Sequence, residues 1–157
     1  MNKERHDRVL SELHPTLRER LEMVLAHCDG RFQCLEGYRD QKRQETLFAQ
    51  GRRKVGPSWI RIGATVTNAQ WGQSPHNFKP SLAVDVVLNP ERVKCRPHPQ
   101  DKRLPDLWDT VSPDAMHAWE LLEWAAKMYD LERVDLRKGV RDLPHLQLPK
   151  WREWVPN

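Results

Sequence analysis

Apolar positions recur at helical spacing in three stretches of this chain and gather into strand-like blocks in three others. From Asp7 to Cys28 the pattern is helical, with one interruption at His14-Pro15. Proline suits the first turn of a helix, where its missing N–H would have no partner anyway. Two helices are therefore expected, the second starting near Pro15 with Leu17, Leu21, Val24, Leu25 and Cys28 as its apolar stripe. Arg31 to Glu36 alternates as a strand does, and Gly37 ends it. Asp40 is placed to cap a third helix running to about Gln50, with Gly51 as its stop. Gly56 to Gly72 has no clear period and reads as loop. Ala83 to Leu88 reads as a buried strand. Asn89 to Pro113, punctuated by Pro90, Pro97, Pro99 and Pro105, reads as an irregular insertion. Ser112-Pro113-Asp114 combines a cap, a first-turn proline and an early acid, so a fourth helix starts there. Ala115, Trp119, Leu122, Ala126 and Tyr129 share one of its faces. His145 to Leu148 is the last expected strand. Helices and strands mix without βαβ regularity, which gives an α+β fold with a small antiparallel sheet flanked by helices.

Composition narrows this picture. A chain of 157 residues suits one domain with one core, 1–157, with no room after Leu148 for a separate binding domain. With 38% hydrophobic and 31% charged residues it is globular rather than disordered. Seven Trp are many, and most are expected in the core or lining a groove; Trp151 and Trp154 read as closing the core. The net charge of +4 would attract a polyanion, but taken alone it fits an ordinary basic protein without such a partner better. Lys and Arg are spread apart from Arg52-Arg53-Lys54, and no nucleic-acid motif occurs, so a nucleic-acid-binding role is not expected. Cys28, Cys34 and Cys95 are odd in number and form no C-x-x-C pair, so they read as reduced thiols. The N-terminus has no apolar signal region, and no apolar run is long enough to span a membrane.

The chemistry concentrates in two segments, Ser74–Val86 and Arg141–Leu148. They offer His76, Asp85 and His145 as metal ligands, with Asp142 beside the third. Two imidazole nitrogens, a carboxylate oxygen and an open position make the ligand set of a catalytic zinc site. Spacing alone argues weakly, because His76 and Asp85 are not the i, i+4 pair of a helical site. Asp85 adds weight because it interrupts the apolar run Ala83-Val84-Asp85-Val86-Val87-Leu88, where a carboxylate is costly unless paired or bound to metal. It could equally lie on a strand's wet face. Pro144 keeps Asp142-Leu143-Pro144-His145 extended or turned. Asp142 can then stand near a metal as a general base, or serve as a simple turn residue.

Ser74-Pro75-His76 through Ala83-Val84-Asp85, then Asp142-Leu143-Pro144-His145, resembles the zinc D-Ala-D-Ala carboxypeptidase and L-alanyl-D-glutamate endopeptidase family. That family includes VanY-type enzymes and phage peptidase endolysins. The Tyr38-Arg39 segment, the Gln- and Leu-containing helix after it, and Val66–Asn77 fit the endopeptidase and endolysin branch. The resemblance covers about Leu35 to Leu148. It implies a hedgehog/D-Ala-D-Ala-peptidase-like fold and one Zn2+ per chain on His76, Asp85 and His145. It also implies Asp142 as general base, Arg39 on a substrate carboxylate or the scissile carbonyl, and Ser74 orienting substrate. The implied protein is a monomeric peptidoglycan peptidase cutting the L-Ala–D-Glu bond. It would be made in a host cytoplasm and act on the cell wall during phage lysis. A D-Ala-D-Ala carboxypeptidase and a non-catalytic zinc-containing binding module are the alternatives. Two departures stand out. Lys79-Pro80-Ser81 enlarges the loop between the first two ligands, so that loop must bulge. The stretch before Asp142 lacks the family's Trp-Gly-Gly, which makes Asp135 a rival base.

Overall fold

The computed structural model describes residues 3–137 and 140–156, with backbone alone at 135–137 and 140–141. Helices α1 (Lys3–Glu12) and α2 (Pro15–His27) meet at His14, whose Nδ1 accepts from the Thr16 N–H and caps α2. Strand β1 (Phe32–Glu36) leads to α3 (Gln41–Ala49), capped by the Asp40 carboxylate on the Arg43 N–H at 2.8 Å. Gly51 follows α3 at φ 72°, a left-handed conformation in which a helix commonly stops.

The stretch expected to be loop from Gly56 onward is partly sheet. Strands β2 (Arg52–Val55) and β3 (Ser58–Arg61) form an antiparallel hairpin. Its two-residue turn is Gly56-Pro57, with Gly56 at φ 57°. All of β3 is exposed, so no buried face imprinted an alternating pattern on the sequence.

Strand β4 (Ala83–Leu88) is the centre of a three-stranded antiparallel sheet, flanked by β1 and β7 (His145–Gln147). The irregular segment after β4 ends at α4 (Pro113–Met128). A short pair, β5 (Asp135–Arg137) and β6 (Val140–Arg141), precedes β7. Among the described residues no helix is long and apolar enough to cross a membrane.

The core lies between the sheet and the helices. Val84, Val86 and Leu88 of β4 point into it and meet Leu17, Leu21 and Val24 of α2 and Ala118, Leu122 and Ala125 of α4. Phe32 and Trp119 pack with ring centroids 4.9 Å apart. Alternation along β4 then sends Asp85 to the opposite face. Leu25 and Tyr129, expected in the stripes, sit at the core's edge and are only partly buried. Of the two C-terminal tryptophans only Trp151 closes the core; Trp154 is exposed and donates its indole N–H to the Pro149 carbonyl.

The insertion after β4 has its own organiser. The buried Asp109 carboxylate accepts from the backbone N–H groups of Arg96, Val111 and Ser112. Its carbonyl accepts from the Trp119 indole N–H at 2.9 Å, which ties the segment to α4. Ser112 holds the cap position of α4 but makes no capping bond with its side chain.

Candidate metal centre

Two different devices deliver His76, Asp85 and His145. His76 lies in the 3-10 turn Pro75–Asn77, where Ser74 Oγ accepts from the His76 N–H and Asn77 Oδ1 accepts from the Ser74 N–H. This reciprocal cap fixes the turn without a long helix. Asp85 and His145 are placed by sheet register. Glu36, Asp85 and His145 are direct partners across β1, β4 and β7, so they form one row on the sheet face away from the helical core. The enlarged loop between His76 and Asp85 is stitched down. The Ser81 N–H donates to the Glu12 carbonyl, the His14 N–H donates to the Ser81 carbonyl, and the Leu82 N–H donates to the Pro75 carbonyl.

The three ligand atoms form a near-equilateral triangle. His76 Nε2 is 3.2 Å from His145 Nδ1 and 3.4 Å from Asp85 Oδ1, and the third side is 3.3 Å. Ligands placed tetrahedrally about 2.0–2.1 Å from zinc stand about 3.3–3.4 Å from one another. The outer nitrogens are already committed. His76 Nδ1 donates to the Gly37 carbonyl at 2.7 Å, and His145 Nε2 donates to Gln147 Oε1 at 2.9 Å. The Gln147 amide is oriented in turn by Glu132, which accepts from its Nε2 at 2.8 Å. In their neutral forms the rings would then turn unprotonated nitrogens toward the centre, where two lone pairs and a carboxylate oxygen converge.

Electrostatics agree. Burial alone would raise the Asp85 carboxyl, but His76 and His145 hold it well below the usual range. Burial would lower His145, yet Asp85 and then Gln147 raise it above its ordinary value. The site favours positive charge at its centre, as a cation-binding site must. The donor set and spacing fit zinc.

No family model matches the chain. It is 28% identical over 146 residues to the peptidoglycan L-alanyl-D-glutamate endopeptidase CwlK of Bacillus subtilis, covering 89% of this chain and 75% of CwlK. Its fold matches the crystal structure of the Serratia marcescens L-Ala D-Glu endopeptidase ChiX. The TM-score is 0.55 and the identity 21%, over 96% of this chain and 90% of that one. The similarity to CwlK is in line with the resemblance drawn from the motifs, and the match to ChiX shows the α+β fold.

The remaining candidates line a cleft of about 460 Å³ in front of the three candidate ligands. Arg39 is buried, and its guanidinium is fully engaged. It donates to Glu36 Oε2 at 2.6 and 2.9 Å, to Gln44 Oε1 at 3.2 Å and to Asp85 Oδ2 at 3.2 Å. In this arrangement it holds the second oxygen of the carboxylate ligand. Ser74 lies at the cleft wall with its hydroxyl on the His76 turn. Asp142 is half-buried in the cleft, and its carbonyl accepts from the His145 N–H at 3.2 Å. Burial raises its carboxyl above the ordinary value, with the His145 charge opposing. The side chain of Asp135 lies outside the described residues.

Sequence reasoning missed Gln147, Glu132, Glu36 and Trp108. Gln147 could have been found, since it lies two residues after His145 and so on the same strand face. Trp108 reaches the cleft from the proline-rich insertion, and no local pattern marks it.

Proposed function

We propose that the chain is a zinc-dependent peptidoglycan peptidase that hydrolyses the L-Ala–D-Glu bond of the stem peptide. The observation that carries the reading is the triangle of His76, Asp85 and His145 atoms, 3.2–3.4 Å apart, with both outer imidazole nitrogens tied off. The bond assignment is supported by the names of CwlK and ChiX, both L-Ala–D-Glu endopeptidases.

His76, Asp85 and His145 would hold the zinc. When bound, it would supply Lewis acidity toward water and a peptide carbonyl. Asp142 lines the same cleft, tied to His145 through the main chain, and would accept a proton from water and return one to the leaving amine. Arg39 keeps Asp85 ionised and oriented through Oδ2. Ser74 holds the turn that presents His76. The peptide would enter the cleft past Trp108, which is exposed at its edge. A role in host lysis, as in the endolysin branch, belongs to the same proposal and is read by turbidity loss of permeabilised cells.

The test is product analysis of digested sacculi alongside metal content. Wild type should carry about one zinc and release new D-Glu amino termini. His145→Ala should lose the metal. Asp142→Asn should keep the metal and lose at least about a hundredfold in kcat. Free D-Ala without D-Glu termini would instead establish a carboxypeptidase, and full activity in Asp142→Asn would leave Asp142 without the base role.

A further inference from the structure

Helix α3 separates two recesses. One side brings Gln44 and Leu47 toward the metal cleft. The other presents Gln41, Glu45 and Phe48 at i, i+4 and i+7, one continuous helical stripe. These line a second groove of about 710 Å³, completed by Trp59 of β3 and by Gln70-Trp71. Trp59 and Trp71 are 39% and 37% exposed, unusually open for indoles. Trp59 is held upright by an edge-on contact with Phe48, ring centroids 5.6 Å apart, and Arg52 covers Phe48 at 4.1 Å. One short segment serves both recesses. Ala69 and Ser74 line the cleft, and Gln70 and Trp71 between them line the groove. The Gln44 amide donates to the Ala69 carbonyl at 2.6 Å and locks that segment to α3.

We propose that this groove binds the glycan strand of the polymer whose stem peptide occupies the cleft; this rests on the peptidoglycan reading above. A pyranose ring offers an apolar C–H face with a rim of hydroxyl and acetamido groups. The groove offers the complement, two indoles among the amides of Gln41 and Gln70 and the hydroxyl of Thr46. Reach sets which sugar it takes. In peptidoglycan, L-Ala joins the sugar through a lactyl group, so the L-Ala–D-Glu bond lies about two residue lengths, roughly 7 Å, from the ring. A helix with its side chains is about 10 Å across. The ring that bears the cleaved peptide therefore falls short of the far side of α3, and the groove would take a neighbouring sugar of the same strand. A D-Ala–D-Ala bond, about three residues further along, would impose no such closeness of strand to cleft.

The rival occupant is an anionic lipid surface. The outer face of the hairpin carries exposed Val55 and Ile60 beside Arg53, and no acidic residue occurs between Glu45 and Asp85. That face points away from the groove, because Lys54 and Trp59 pair on the other side. A concave lining with hydrogen-bonding groups favours sugar.

Two measurements test the proposal. The first is titration of the zinc-loaded protein with N-acetylchitotetraose, followed by calorimetry. Wild type should bind, and Trp71→Ala and Trp59→Ala should each weaken binding by about tenfold or more, with Trp71→Tyr largely restoring it. No binding by wild type overturns the proposal, as does binding to phosphatidylglycerol vesicles with none to the sugar. The second is the ratio of kcat/KM for a disaccharide-tetrapeptide to that for the free tetrapeptide. A ratio above about ten that falls toward one in Trp71→Ala supports the groove. A wild-type ratio of one overturns it. Hydrolysis of neither compound would instead count against the peptidase reading, leaving the titration to decide the groove.

Discussion

At the scale of single residues, the candidate ligands Asp85 and His145 are held in place by side chains behind them. Gln147 is the clearest case, since it stands between His145 and Glu132 and fixes which imidazole nitrogen faces inward. Gln147→Met keeps the side-chain length but removes the acceptor. Zinc affinity should fall about 10–100-fold, measured by competition with a chromogenic chelator, while His76→Ala should abolish binding. Arg39 makes a different prediction. Its guanidinium is the partner of both Glu36 and Asp85 in a buried setting. Arg39→Met leaves those carboxylates facing one another without it, and urea unfolding should show a loss of about 3–5 kcal/mol. If Arg39 acted only on substrate, stability would be unchanged and KM alone would rise. The thiols are inert by contrast. Burial pushes Cys28 up to about 11 and Cys34 to about 12, as expected of packed side chains rather than reactive ones.

At the scale of elements, the least regular segment carries the most localised dependence. Burial alone would raise Asp109, but hydrogen bonds from Ser112 and from the backbone of Arg96 and Val111 outweigh it and hold the carboxyl well below its usual range. A depressed carboxyl stabilises the fold fully above its unfolded value, about 3.9, and that contribution declines below it and is gone once pH falls through the folded value. Asp109→Asn should cost about 1.5–3 kcal/mol at pH 7 because an amide N–H₂ must face the Arg96 N–H. The gap to wild type should narrow as pH is lowered below about 4, read from urea midpoints at pH 7 and pH 3. A constant gap would mean that the carboxylate's charge is not what holds the segment. Elements with strong local chemistry were legible beforehand. Pro15 and Asp40 opened their helices, Gly51 closed one, and β4 stood out as an apolar block. The hairpin of β2 and β3 was not, because an exposed strand needs no alternation. The site was legible as a residue set but not as a geometry. The register that aligns Glu36, Asp85 and His145 joins strands distant in sequence, and no local pattern encodes it.

At the scale of the whole molecule, the core and the candidate metal site occupy opposite faces of one sheet. The apolar core uses α1, α2, α4 and the side of β4 bearing Val84, Val86 and Leu88, and it closes without any of the three ligands. The site joins a 3-10 turn and two strands on the other face. Zinc should therefore add to stability without being required for folding, unlike a small zinc finger whose fold is its metal site. By mass action, free zinc at a thousandfold its Kd should add about 4 kcal/mol. For a domain of this size that corresponds to a rise in Tm of roughly 8–16 °C. Chelation should leave the far-UV circular dichroism nearly intact, lower Tm by that amount, and be reversed by added zinc. His145→Ala should melt with no response to zinc at all. A chelated protein that unfolds at room temperature would show that the triangle holds the sheet together, because β4 and β7 would then be paired only through their shared metal. The buried Leu146 and Leu148 argue for the first outcome, since they anchor the His145 end of the sheet in the core from the side the metal does not touch.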